Sequence, residues 1–404
     1  MSANVFLLCF ILCLLILYET YSAFRNKLFI APNFLFTLGW TLPLLIAQYP
    51  VNEIVHIVEN TGFKGNLISV GVVFIFYLIQ IIKPRGKFNI GFNSIPISYW
   101  FPILLFFLSN IGFILALYFN GWIIPVFQVQ VTDSAKDFFQ FPGTATLFNL
   151  GSIGVIYTLL IYYKNERKLN YKLIFLCSLT LLFLLELFLY GKRMGVMLTL
   201  MFILLSLIPL LSRKKIVKYA FLIFILFLVN AFLRLDFAFK EYYSEANTSV
   251  TDIYTFTLLQ PILYIQPNFG NLNTIVENNK SDLYLGRYSF PFLHFLIGDS
   301  HIEDNNIYNK VKKKAYNMRT FVSSFYMDFG FFGSLIMSSM LFYVIFVFYS
   351  LAKNSSYGLI IYAYFASRIP LLFTANLFFE PIFLRNLLII FLLFLLFNNK
   401  NGYE

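Results

Sequence analysis

The chain has 404 residues, of which 59% are hydrophobic and 12% charged, with a formal net charge of +11. A soluble domain carries roughly twice that charged fraction, and the mean hydropathy is +0.74, so the composition excludes a water-soluble globular protein. The basic excess belongs to cytoplasmic loops rather than to a nucleic-acid surface, and no nucleic-acid partner is expected.

In chain order, apolar runs fall at 3–18, 28–48, 67–82, 97–119, 144–163, 173–190, 194–211, 219–239, 329–349, 357–373 and 382–397. They predict an all-α, polytopic transmembrane helical bundle of about eleven helices. The short alternating segments of a β-barrel are missing. The first run lacks a basic leader and a small-x-small cleavage site, and reads as a retained helix. Cys9, Cys13 and Cys177 all sit inside apolar runs and behave as small hydrophobes. No internal repeat of the kind that builds inverted-repeat transporters is visible.

The basic segments KPRGK (83–87), KNERKLNYK (164–172) and RKKIVK (213–218) set these loops on the cytoplasmic side. The loops around 53–59 and 133–137 are acidic or mixed and are expected outside. The organisation that follows is helices one to eight over 1–239, a large extracytoplasmic loop over 240–328, and helices nine to eleven over 329–404. Both termini follow the alternation, the first outside and the last inside. Within the loop, 251–273 and 289–298 are apolar but interrupted by polar residues and proline. They are expected to form short interfacial or re-entrant helices.

Charge inside such a chain marks candidate chemistry. Lys192 and Arg193 stand side by side in a tight turn that the topology places outside. They are either interfacial anchors or an anion site, in which arginine offers a planar fork and lysine a point charge. Arg234 lies near the end of the eighth run, where Asp236 and Lys240 are spaced to pair on one helix face. Arg319, Tyr326 and Asp328 cluster where the loop re-enters the membrane, and Gly330 and Gly333 permit a bend or close packing there. Arg368, Glu380 and Arg385 interrupt or flank the last two runs, Arg368 and Glu380 as a possible ion pair. His294 sits in an apolar patch of the loop and is either interfacial or a base. No HExxH or Cys/His spacing predicts a metal site, and no glycine loop predicts a nucleotide cofactor.

Three of these features resemble the oligosaccharide repeat-unit polymerases, the O-antigen polymerase (Wzy) family of bacterial envelope assembly. They are the outward turn GKRMGVML (191–198), the large late loop, and NMRTFVSSFYMDFGFFG (317–333). The last resembles the family's Asn-x-x-Thr and Asp-Phe-Gly-x-x-Gly pattern, here Asn317, Thr320, Asp328, Gly330 and Gly333. The O-antigen ligases share the layout. The resemblance implies a multi-pass protein of the bacterial inner membrane whose active site faces the periplasm or exterior. It implies a substrate, a glycan linked through pyrophosphate to undecaprenol, and glycosyl transfer that joins repeat units and releases undecaprenyl pyrophosphate. It also implies a partner protein that sets chain length. Under that chemistry Lys192, Arg193, Arg234, Arg287 and Arg319 are candidates to bind pyrophosphate, and Arg193, Asp328 and His294 are candidate catalytic groups, the last two as bases with Glu380 behind them. Tyr254, Gln260, Tyr264, Asn268 and Tyr326 are candidates to line a sugar groove. A ligase and a flippase of the same lipid-linked glycan remain the alternatives.

Overall fold

The structure is a computed structural model that describes residues 3–26, 28–48, 62–82, 98–125, 138–139, 141, 143–164, 170–190, 193–232, 253–278, 283–290, 320–353, 356–374 and 376–398. Among these residues all regular secondary structure is helical, without a strand. The helices are α1 (Ala3–Asn26), α2 (Pro32–Phe36), α3 (Leu42–Ala47), α4 (Phe63–Ile82), α5 (Trp100–Phe119), α6 (Thr144–Lys164), α7 (Tyr171–Tyr190), α8 (Arg193–Leu207), α9 (Arg213–Phe232), α10 (Ile253–Asn278), α11 (Phe321–Ala352), α12 (Ser356–Ala366) and α13 (Pro381–Asn398). Among the described residues, six helical segments are long and apolar enough to cross a bilayer: Val5–Asn26, Phe63–Ile82, Trp100–Phe119, Thr144–Tyr162, Tyr171–Tyr190 and Phe321–Ala352. Their outer faces present large apolar side chains such as Phe6, Phe74, Phe107, Leu181 and Phe332, as lipid contact requires.

Two differences from the sequence expectation position the candidate site. The segment at 251–273, expected as short interfacial or re-entrant pieces, belongs from Ile253 onward to one 26-residue helix, α10, which continues through Pro261 and Pro267. The run expected to start at 329 instead belongs to a 32-residue helix that begins at Phe321 and kinks at Gly330 (φ 66°, ψ −164°). That backbone conformation is open essentially to glycine alone. Polar Ser323 and Asp328 fit before the kink because both are fully buried against protein.

The chain divides into two compact units. The first comprises Met1–Lys87, Ala238–Ser350 and Arg368–Phe383. Its centre is aromatic: Phe36 stacks on Phe76 at 3.9 Å, and Phe342 meets both rings edge-on. Trp40, fully buried, donates its indole N–H to the Ser69 carbonyl at 3.2 Å. Between α2 and α3 the helix widens into a π turn, Thr37–Thr41. There Gly39 lies so close to the 3₁₀ turn Ile369–Leu371 that a Cβ would fall 1.9 Å from the Ile369 carbonyl oxygen. Only a residue without a side chain allows those two backbones to touch.

The second unit comprises Phe88–Phe237, Leu351–Ser367 and Leu384–Glu404. Its core is the antiparallel pair α5 and α6, with α7 packed on both. Gly112 permits the closest approach, since a Cβ there would lie 2.7 Å from the Phe148 amide nitrogen. Ser109 Oγ donates to the Phe148 carbonyl at 2.8 Å. The turn after α5 uses left-handed Gly121 and Trp122, and the Asn120 amide ties it by donating to the carbonyls of Ala116 and Phe138, each at 2.7 Å.

Candidate functional site

In the first unit, the kink in α11 leaves helix carbonyls without their usual intrahelical donors. The turn at 283–290 supplies replacements. Tyr284 N–H donates to the Met327 carbonyl and Leu285 N–H to the Asp328 carbonyl, each at 3.3 Å. The Asp328 side chain completes the attachment from the other direction. Its two oxygens accept the Tyr288 N–H at 3.2 and 3.1 Å, and one of them also accepts the Ser289 N–H at 2.5 Å. Ser289 Oγ lies beside the same carboxylate outside hydrogen-bond geometry. Leu285 and Gly286 take positive φ (46° and 96°) to close the turn.

The Asp-Phe-Gly triplet therefore has a physical assignment. Asp328 holds the turn, Phe329 packs on Phe290 at 6.3 Å, and Gly330 provides the kink. What the turn carries outward is Arg287, which is exposed, flanked by Tyr284 and Tyr288 in an edge-to-face pair at 5.0 Å. Asp328 is fully buried, and backbone amides occupy its acceptor oxygens. This geometry suits a residue that positions Arg287 rather than one that takes a proton.

Further groups reach the same end of this unit through direct contacts. Tyr326, one turn before the kink, donates its hydroxyl to the Val276 carbonyl of α10 at 3.4 Å. From α10, Asn273 Oδ1 accepts the Gly65 N–H at 3.1 Å, filling one of the unpaired donors at the start of α4. Beside it Gln48 and Asn66 exchange amide hydrogen bonds at 3.0 and 3.1 Å. Asn268 is 1% exposed, within a run of buried amides that includes Gln266, Asn271 and Asn273. Phe379 packs on Phe290 at 4.7 Å and so brings the irregular segment before α13 to the same place. In that segment the Asn376 side-chain nitrogen and oxygen are both buried without a hydrogen-bond partner. Arg368, 7% exposed, places its guanidinium 4.2 Å from the centre of the Phe383 ring, a cation–π contact. Glu380 is exposed.

Of the candidate residues, the structure thus brings Arg287, Tyr326, Asp328 and the α10 amides to one end of the first unit. Lys192, Arg234, His294 and Arg319 lie outside the described residues, as does Asn317. Tyr254, Gln260 and Tyr264 lie on α10, with side chains outside that set. Arg193 is the first residue of α8, its side chain likewise outside it. α7 ends at Tyr190 and α8 begins at Arg193, and the turn expected between them lies outside the described residues. Among the described residues no group of three His, Cys, Asp or Glu is placed to hold a metal ion.

The second unit contains a residue that sequence reading passed over. Glu186, 6% exposed, lies on the buried face of α7 with Phe183, Leu187 and Tyr190. Its Oε2 atom is buried without a hydrogen-bond partner. One acid in an otherwise apolar run does not disturb hydropathy, but its rarity at that position is itself a signal. No family model, curated protein or solved structure matches the chain.

Proposed function

We propose that the protein joins undecaprenyl-pyrophosphate-linked oligosaccharide repeat units into O-antigen or capsular polysaccharide, on the outer face of a bacterial cytoplasmic membrane. In this reading about eleven helices span the bilayer and the region 240–328 faces outward. The acceptor hydroxyl attacks the donor sugar's anomeric carbon, the bond from that carbon to the phosphate oxygen breaks, and undecaprenyl pyrophosphate leaves with the bonding electrons. Negative charge grows on the leaving diphosphate, so cations held in place beforehand lower the barrier. A guanidinium fork meets two phosphate oxygens at once.

The observation that carries the reading is Arg287, an exposed guanidinium on a turn locked to the α11 kink by backbone and Asp328 hydrogen bonds. A cation fixed by its backbone is preorganised for a diphosphate, whereas a loose surface arginine must be ordered on binding. Tyr284 and Tyr288 beside it provide apolar faces of the kind that stack on sugars. Lys192 and Arg193 are proposed to serve the same leaving group, with Arg234 and Arg319 as further cations. Tyr254, Gln260, Tyr264, Asn268 and Tyr326 are proposed for the glycan. A chain-length regulator is the proposed protein partner.

Deleting the gene tests the reading. A polymerase loss leaves single-repeat glycans at the cell surface. Intermediates trapped inside the cell would point instead to a flippase, and long polymer still attached to carrier lipid would point to a ligase. Either result would reject the proposal.

A further inference from the structure

We propose that Asn376 is a glycan-binding residue, whose side-chain amide holds hydroxyl groups of the sugar chain on the lipid-linked substrate. The inference rests on the polymerase reading and deepens it. Every residue it uses belongs to the first unit.

Three observations point to Asn376. The first is its unmet hydrogen-bonding capacity. A side-chain amide has two N–H donors and a carbonyl acceptor, and burying them unpaired is unfavourable. Among the described residues, neither Asn376 Nδ2 nor Oδ1 has a hydrogen-bond partner, and both atoms are buried. Other buried amides of the same unit are used: Asn33 donates to Glu19, and Asn273 accepts the Gly65 N–H.

The second observation is a backbone held on both sides of that side chain. Upstream, Thr374 donates its hydroxyl and its N–H to the Leu371 carbonyl at 2.8 and 2.9 Å. The Leu372 carbonyl accepts the Phe321 N–H at 3.0 Å. Downstream, Leu377 and Phe378 are buried, and Phe378 packs on Phe383 at 5.9 Å. Asn376 itself is only part-buried. Turning its amide toward a ligand breaks no hydrogen bond and needs only a change of rotamer.

The third is position. Phe379 packs on Phe290 at 4.7 Å and on Phe325 at 6.1 Å. Phe290 ends the Arg287 turn, its N–H donating to the Gly286 carbonyl at 2.9 Å. Asn376 is three residues from Phe379, and Arg287 three from Phe290. Three extended residues span at most ~10 Å, so one lipid-linked oligosaccharide can reach both. Tyr284, Tyr288, Phe290 and Phe379, all part-buried, add ring faces at the same end. A diphosphate on Arg287 then leaves its glycan near aromatic faces and an amide that both donates and accepts, as sugar hydroxyls require. Asn376 meets the glycan and not the bonds that change, so it holds ground state and transition state alike.

The experiment compares two probes on the full-length protein in nanodiscs. One is undecaprenyl-pyrophosphate-linked repeat units extracted from cells lacking the gene; the other is undecaprenyl pyrophosphate without a glycan. Two neutral hydrogen bonds are worth roughly tenfold in affinity. Asn376→Leu should bind the glycan-bearing lipid weaker by about that factor, and the bare carrier within about twofold of wild type. In liposomes its KM should rise equally, with kcat changed less than about twofold. Its melting temperature should not fall, because no hydrogen bond is lost. Asn376→Ala, which adds no bulk, should reproduce the loss and decides the matter if the leucine variant melts early. Arg287→Ala should weaken both probes. Unchanged affinity of the Asn376 variants for the glycan-bearing lipid overturns the proposal, and so does an equal loss for both probes. Wild-type protein that binds the glycan through Asn376 yet joins no repeat units would instead defeat the polymerase reading and leave the glycan site standing.

Discussion

The kink of α11 and the inner face of α7 both bury an acid among apolar helices, and they treat it in opposite ways. At the kink, backbone N–H groups of Tyr288 and Ser289 fill the Asp328 oxygens. On α7, Glu186 Oε2 has no hydrogen-bond partner among the described residues. A third buried acid, Glu19 on α1, stands nearer to the first case, since Asn33 donates its amide to it at 3.4 Å. Neither apolar surroundings nor exposure separates these residues. Occupancy of their acceptor sites does. A filled carboxylate is part of the architecture, and removing it leaves buried donors unpaired. An empty one is held against its own solvation.

This comparison predicts stability changes of opposite sign, measured by thermal or denaturant unfolding in detergent. Asp328→Ala should be the most damaging, destabilising by about 2–5 kcal/mol, because buried amides lose a charged acceptor. Gly330→Ala follows at about 1–3 kcal/mol, since an L side chain is strained in that backbone conformation. Glu186→Leu should stabilise by about 1–2 kcal/mol, as an unpartnered buried acid gives way to a side chain that packs. A destabilised Glu186→Leu would place that residue with Asp328 and dissolve the contrast. Arg287→Ala should have the smallest effect on folding, within about 0.5 kcal/mol as for other exposed sites. It should nonetheless lower chain extension by roughly 10²-fold. Normal extension by this variant would remove Arg287 from the reaction.

Run length and hydropathy made the helical class legible, because a bilayer imposes both on a spanning segment. They did not reveal where α11 begins. Its first turns contain Ser323 and Asp328, preceded by Thr320, buried polar residues that hydrogen bonds satisfy and that a hydropathy reading assigns to a loop. The same applies to α10, whose prolines and amides resemble an interrupted segment until Asn273 is seen filling a donor on α4. The Asp-Phe-Gly triplet stood out in the sequence, but its mechanical sense depends on the distant turn at 283–290, about forty residues away in the chain. Glu186 was invisible for the opposite reason. Its neighbours in α7 are simply those of a spanning helix, and only packing shows that the acid faces protein.

The central claim is glycan joining by displacement of a carrier diphosphate. Its most direct test is the purified protein in liposomes supplied with undecaprenyl-pyrophosphate-linked repeat units, with product length and released carrier measured together. The account predicts a ladder of products, with one undecaprenyl pyrophosphate released for each unit added. Repeat units that stay single, or that move across the bilayer without carrier release, would contradict it.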